Sequence, residues 1–171
     1  MSGCQQTEAP KENLIVKTID FDQRLDSLGI ILPPVSAPVA NYVNAVTTAG
    51  NLVFLAGKGP KKSNGQYIAG RLGEDITIEA GYEAARLAGI NQLAALKAEI
   101  GDLRRVKRIV KVLGMVNATA DFTAHSKVIN GYSDLMVEVF GERGKHARAA
   151  VGMASLPFGM AVEVEMIVEL E

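Results

Sequence analysis

The steadiest hydrophobic period in the chain runs from Ile78 to Ile100, where Tyr82, Ala85, Gly89, Leu93, Leu96 and Ile100 recur at steps of three and four. Glu83, Arg86 and Lys97 fall on the other side, so the spacing predicts an amphipathic helix, stopped by Gly101. A second helix is predicted to end near Phe140, with Val128, Leu135, Val139 and Phe140 as core contacts and Asp121 or Thr123 as its cap. Gly141 and Gly144 break it. Asp20, with Gln23 three positions on and Leu25 and Leu28 at helical spacing from Phe21, predicts a short leader helix closed by Gly29. The prolines at Leu32-Pro33-Pro34 and Ala37-Pro38 then enforce an extended crossing.

A period of two marks the strands. Tyr42 to Thr47 and Leu52 to Gly57, separated by Ala49-Gly50-Asn51, predict a hairpin with glycine at the bend. A Gly/Pro/Lys loop follows from Lys58 to Asn64, then a short strand from Gly65 to Gly70, and a β-branched strand from Val106 to Val116. His146 to Glu171 reads as two more strands joined by Leu156-Pro157-Phe158-Gly159. In the last, Met160, Val162, Val164, Met166 and Val168 alternate with Ala161, Glu163, Glu165, Ile167 and Glu169, giving one apolar and one carboxylate-rich face. In its predecessor Arg148 shares a face with Ala150, Gly152 and Ala154, so a long cation stands over small side chains. Antiparallel pairing of these two strands would bring Glu163 and Glu165 towards the region of Arg148. A charged sheet face in water is the plain alternative.

The order of elements, leader, three strands, helix, strand, helix, two strands, predicts an α+β fold with helices collected on one face of the sheet. No internal repeat or linker divides it. Residues 14–171 form one expected domain behind a polar, flexible arm over residues 1–13, and Leu14-Ile15-Val16 is too short to assign. Composition agrees with one soluble globular domain: 171 residues, 48% hydrophobic, 22% charged, no tryptophan. A net charge of −1 argues against a dedicated nucleic-acid binder. Cys4 is the single cysteine and His125 and His146 the two histidines, which excludes an intramolecular disulfide and a structural zinc. No apolar run reaches the roughly 18 residues of a membrane span, nor is there the apolar core of a signal peptide. The expected location is cytoplasmic; Met1-Ser2-Gly3-Cys4 resembles a lipoprotein processing site, which leaves an exported form as the alternative.

Ala147-Arg148, then Leu156-Pro157, then Val162-Glu163-Val164-Glu165 resembles the C-terminal signature of the RidA family, the YjgF-like proteins also known as endoribonuclease L-PSP or translation initiation inhibitors. The pattern fits from Arg148 to Glu165 without a gap. A tyrosine ahead of the first strand, a small-Gly pair ending the second, and Asn91 to Leu96 followed by Gly101 are similar in the same order. The resemblance implies a RidA/chorismate-mutase-like fold, a mixed sheet with two main helices on one face, assembled as a homotrimer around a barrel-like centre with clefts between chains. It implies no cofactor and no metal.

It also implies a deaminase that hydrolyses reactive 2-enamino or 2-imino acids to 2-keto acids and ammonia. An arginine suits such substrates, because its planar fork donates two parallel hydrogen bonds to one carboxylate. Arg148 matches the family's carboxylate-binding arginine, and Glu163 the glutamate that would orient the attacking water, with Glu165 a second choice or an interface charge. Tyr42 matches the tyrosine that closes the pocket. Ala56-Gly57-Lys58 stands where the family has Ser-Gly-Gln, Ala150 where it has a cysteine or small polar residue, and His146 where it has proline. The pocket asparagine corresponds to Asn130 or, counting back from Phe140, to Ser133. With serine and cysteine replaced by alanines, carboxylate binding is expected more firmly than fast turnover, and a larger or more apolar substrate would fit. Two other readings stand beside this one: a non-catalytic metabolite-binding trimer, and an RNA-cleaving translation inhibitor resting on Arg104, Arg105, Lys107, Arg108 and Lys111. A Ser/His/Asp triad lacks support, since neither histidine accompanies a nucleophile in an elbow motif.

Overall fold

The structure is a computed structural model, which describes residues 20–35, 37–38 and 40–171; the expected arm over residues 1–13 and Leu14-Ile15-Val16 lie outside them. In chain order the elements are α1 (Phe21–Ser27), β1 (Ala45–Thr47), β2 (Leu52–Lys58), α2 (Ile78–Ile100), β3 (Val106–Asn117), α3 (His125–Phe140), β4 (Ala147–Met153) and β5 (Val162–Leu170). The fold is α+β, a five-stranded mixed sheet with its helices on one face.

The leader helix forms where its cap places it. Asp20 stays extended and accepts hydrogen bonds from the backbone N–H groups of Asp22 and Gln23. Gly29, at φ +67°, turns the chain away. Phe21 and Leu25 are buried, the Phe21 ring meeting Phe140 edge-on at 4.9 Å, while Arg24 Nε donates to the Glu138 carbonyl at 2.8 Å. The leader is thereby docked on the end of α3. α2 starts at Thr77, whose hydroxyl accepts from the Ala80 N–H, and stops at Gly101, at φ +79°. Its buried face is wider than the predicted stripe, taking in Ala84, Ala88, Gln92 and Ala95, whereas Tyr82 is only half-buried and donates to Asp134 at 2.9 Å. Small residues set the distance between α2 and α3: a side chain at Gly131 would collide with the backbone carbonyl of Tyr82.

Four expectations are corrected. The last two strands do not form a hairpin: the sheet order is β1-β2-β5-β3-β4, so β3 lies between β4 and β5. α3 is a crossover that returns β4 parallel to β3, and β5 then inserts antiparallel to both β2 and β3. Residues 65–70 make only the bridges Lys61↔Tyr67 and Ala69↔Met160. α3 begins at His125 with Ala124 at its cap and no side-chain hydrogen bond; Asp121 lies before it in a turn closed by Phe122 N–H to the Thr119 carbonyl, and Thr123 follows that turn. The β1–β2 hairpin does carry Gly50 at its bend, in a turn closed by the Asn51 N–H to the Thr48 carbonyl with Asn51 at φ +59°, but Tyr42 precedes the first strand rather than opening it.

Burial of Phe21 against Phe140 predicts that Phe21→Ala lowers stability by about 3 kcal/mol, because the vacated volume is enclosed on the helix side. Urea unfolding of the two proteins measures it. A change under about 1 kcal/mol would show the leader to be an adherent strap rather than part of the core.

Candidate functional site

Strand parity decides where the charges of the last two strands point. Val112 of β3 is in register with Arg148 on β4 and Met166 on β5, and partners across a sheet share a face. Val112 and Met166 are buried under the helices, so Arg148 faces the helix layer. Glu163 and Glu165 pair with Met115 and Leu113, one step out of phase, and face the uncovered side. Within one chain Arg148 and Glu163 therefore lie on opposite faces, which corrects the expectation that a hairpin brings them together.

The Arg148 cluster is built against α3. Its NH1 donates to Asn130 Oδ1 at 3.0 Å and to Ser133 Oγ at 2.9 Å, so both residues that counting left as alternatives contact the guanidinium. They sit three apart on one helix face. Among the described residues the bonds of Arg148 use NH1 alone, so its Nε–NH2 edge is not engaged by them. Ser133 Oγ also lies 3.0 Å from His146 Nε2, whose Nδ1 is 2.7 Å from the Gly144 carbonyl. Burial holds His146 below the ordinary imidazole range; its bond to Gly144 opposes this, and the charge of Arg148 adds to it. Ala150 and Gly152 share this face; Ala150 packs against the core, and a side chain at Gly152 would run into the His125 imidazole.

The Glu163 cluster occupies the other face. Its carboxylate lies over Gly57, where any side chain would collide with Oε1. Gly57 sits in an irregular stretch of β2, its pairing with β5 shifting between Leu55 and Lys58. That stretch is held from α2: Gln92 Nε2 donates to the Ala56 carbonyl at 3.3 Å, and Asn91 Nδ2 to the carbonyls of Gly59 and Lys61 at 3.0 and 3.1 Å. Burial raises Glu163 above the ordinary carboxylate range, Glu165 raises it further, and Lys58 opposes both. Burial lowers Lys58 in turn, and its ammonium donates to Asn44 Oδ1 at 2.5 Å. The two groups are drawn towards each other in proton affinity, a setting suited to acid–base work. Tyr42, 51% exposed, lines a shallow depression of about 460 Å³ with Val43, Val46, Phe54, Glu165 and Ile167.

Sequence reasoning did not single out Lys58 as a partner of Glu163, or His146 as a partner of Ser133. The available signals were the position of Lys58 directly after Ala56-Gly57 and that of His146 two residues before Arg148. The basic cluster is partly neutralised: Arg104 pairs with Asp102 at 2.6 Å and Lys107 with Glu169 at 2.6 Å, while Arg105 donates to the Ile100 carbonyl.

The chain belongs to the RidA/YjgF family: residues 22–170 match the family described as "YjgF/chorismate mutase-like, putative endoribonuclease". It is similar to Protein TCP17 of Trypanosoma cruzi, 47% identical over 147 residues that span 85% of this chain and 91% of that one. Among solved structures it is similar to Atu1372 of Agrobacterium tumefaciens, a protein of unknown function, at 42% identity and a TM-score of 0.81, covering 90% of this chain and 96% of that one. A "putative endoribonuclease" from Shewanella oneidensis is 34% identical with a TM-score of 0.84, covering 89% and 100%. The fold is the one these proteins share.

The surroundings of Glu163 predict its titration. Followed by carbon NMR of its carboxyl group, Glu163 titrates above the ordinary glutamate range; Glu165→Gln moves it down and Lys58→Met moves it up. Titration in the ordinary glutamate range, unmoved by either substitution, would contradict the geometry.

Proposed function

We propose that this chain binds a small carboxylate-bearing metabolite at Arg148 and hydrolyses 2-enamino or 2-imino acids to 2-keto acids and ammonia, with the site completed between subunits of a homotrimer. One observation carries the reading: Arg148 is held by Asn130 and Ser133 with its Nε–NH2 edge unengaged among the described residues, while Glu163, beside Lys58, stands on the opposite face of the same sheet. Each is half of a site. The two halves would meet where the β4 edge of a second chain, which carries its Arg148, lies against this chain's uncovered face beside Glu163.

The uncovered face supports such a contact. Val46, Phe54 and Val151 are 53%, 43% and 40% exposed, on the side of the sheet away from the helices, with Tyr42 and Val43 beside them. Apolar groups gathered on one face mark an interaction surface. In the composite site Arg148 fixes the carboxylate, and the imine carbon is offered to a water held by Glu163. A carboxylate of raised proton affinity removes a proton from that water as it attacks and returns one to the departing nitrogen. Tyr42 closes the depression over the substrate, and the backbone at Ala56 and Gly57 forms its floor.

Binding without turnover is the second reading, favoured by one feature: Ala56 and Ala150 present methyl groups, so no hydroxyl or thiol assists at either position. RNA cleavage is supported less, because Arg104 and Lys107 are already paired with carboxylates.

The test generates 2-imino acids with an amino-acid oxidase and follows their decay. Wild type accelerates decay; Arg148→Ala loses the acceleration chiefly through KM, and Glu163→Gln lowers kcat by about a hundredfold or more, the usual contribution of an acid–base group. If no 2-imino acid decays faster with wild type than with Arg148→Ala, deamination is wrong. Retained binding of 2-keto acids would then leave the second reading.

A further inference from the structure

Lys58 differs from the ion-paired lysines in what holds it. Lys97, Lys107 and Lys145 each meet a carboxylate, at 2.7, 2.6 and 2.7 Å, whereas the Lys58 nitrogen rests on Asn44 Oδ1, the oxygen of a neutral amide. That oxygen accepts from either an ammonium or an amine, so the bond survives loss of the proton and leaves the amine its lone pair. Lys58 is also half-buried. Burial lowers its proton affinity, Glu163 opposes this, and the charge of Lys61 adds to it. A lysine that gives up its proton readily is a nucleophile.

The proton carrier such a nucleophile needs stands next to it. Glu163 lies across Gly57, the residue just before Lys58, with its carboxylate where a side chain of residue 57 would be. The charges of Lys58 and Glu163 act on each other in both directions. Glu163 holds a proton more readily than an ordinary glutamate, first through burial and then through Glu165.

We propose that Lys58 is a catalytic residue, whose amine attacks the carbon next to the carboxylate of a bound 2-imino or 2-keto acid and forms a Schiff base with it. This rests on the reading of the site as one for 2-imino acids and adds a covalent step. The Lys58 nitrogen bonds to the imine carbon, and the C=N electron pair moves to the substrate nitrogen. Both protons of the amine pass to that nitrogen by way of Glu163, and the old C–N bond breaks to release ammonia. Water held by Glu163 then adds to the Schiff base. A C–O bond forms, the bond to Lys58 breaks, and both water protons end on the restored amine, leaving the 2-keto acid. With a 2-keto acid as ligand this second stage runs backwards, and water leaves as the Schiff base forms.

Reductive trapping on the full chain tests it. Pyruvate, 2-oxobutyrate and phenylpyruvate are each added with sodium cyanoborohydride, which reduces a Schiff base to a stable secondary amine, and the labelled lysines are located by peptide mass spectrometry. At least one acid labels Lys58 ahead of every other lysine, and its labelling sets in below the pH range of an ordinary lysine. Lys58→Gln, whose amide can still donate to Asn44, unfolds thermally as wild type does but loses kcat in the 2-imino acid assay. Lys58 labelled no faster than the other lysines by all three acids, or wild-type turnover by Lys58→Gln, overturns the covalent step; if wild type still accelerates 2-imino acid decay and Arg148→Ala does not, the proposed deamination stands without it. Label at Lys58 with no turnover in wild type keeps the Schiff base and removes the deamination. Label that Arg148→Ala leaves unchanged keeps the Schiff base and removes Arg148 as the anchor.

Discussion

Everything about the candidate site follows from one pairing, that of Val112 with Arg148 on one side and Met166 on the other. Side chains alternate strictly along a strand, so a single register fixes the face of every residue on β3, β4 and β5. A slip of one step would move Arg148 into the open and bury Glu163 under the helices, uncovering Val112, Val164 and Met166 as well. The core holds that register, because all three are buried apolar residues. The arginine and the glutamate are separated by the same burial that stabilises the fold.

Each half of the site is then tuned by its own neighbours. On the helix side α3 supplies Asn130 and Ser133, and the turn before β4 supplies His146 and the Gly144 carbonyl, so that the guanidinium is anchored through NH1 alone. On the open side the missing side chain of Gly57 makes room for the Glu163 carboxylate, with Lys58 next to it. The backbone that carries Gly57 is fastened by Asn91 and Gln92, which reach over from α2. Gln92 is wholly buried and its Oε1 has no partner among the described residues, a cost accepted to hold the Ala56 carbonyl.

Local elements were legible in the sequence because local chemistry makes them. The limits of α2 came from its period and Gly101, and the leader helix from Asp20 and Gln23. Strand order was not legible: the turn residues between β4 and β5 say where the chain bends but not which edges meet, and the crossover through α3 places β3 between them. The family resemblance nominated Arg148 and Glu163, yet nothing along the chain said that they face opposite ways. Asn130 and Ser133 could not be separated by counting, since residues three apart on a helix share a face and both reach the guanidinium. His146 registered only as a departure from proline; its meaning depends on Ser133, thirteen positions earlier, coming within hydrogen-bond distance.

If opposite faces of one sheet supply the two halves, a working site takes Arg148 from one chain and Glu163 from another. Subunit mixing tests this directly: Arg148→Ala and Glu163→Gln, each inactive by itself, are co-expressed and assembled together, and 2-imino acid decay is measured. Random assembly into closed rings leaves about a quarter of the interfaces with both groups intact, so the mixture should recover about a quarter of wild-type activity. A mixture no more active than its parents, alongside an active wild type, would show that one chain furnishes both groups, and the account would be wrong.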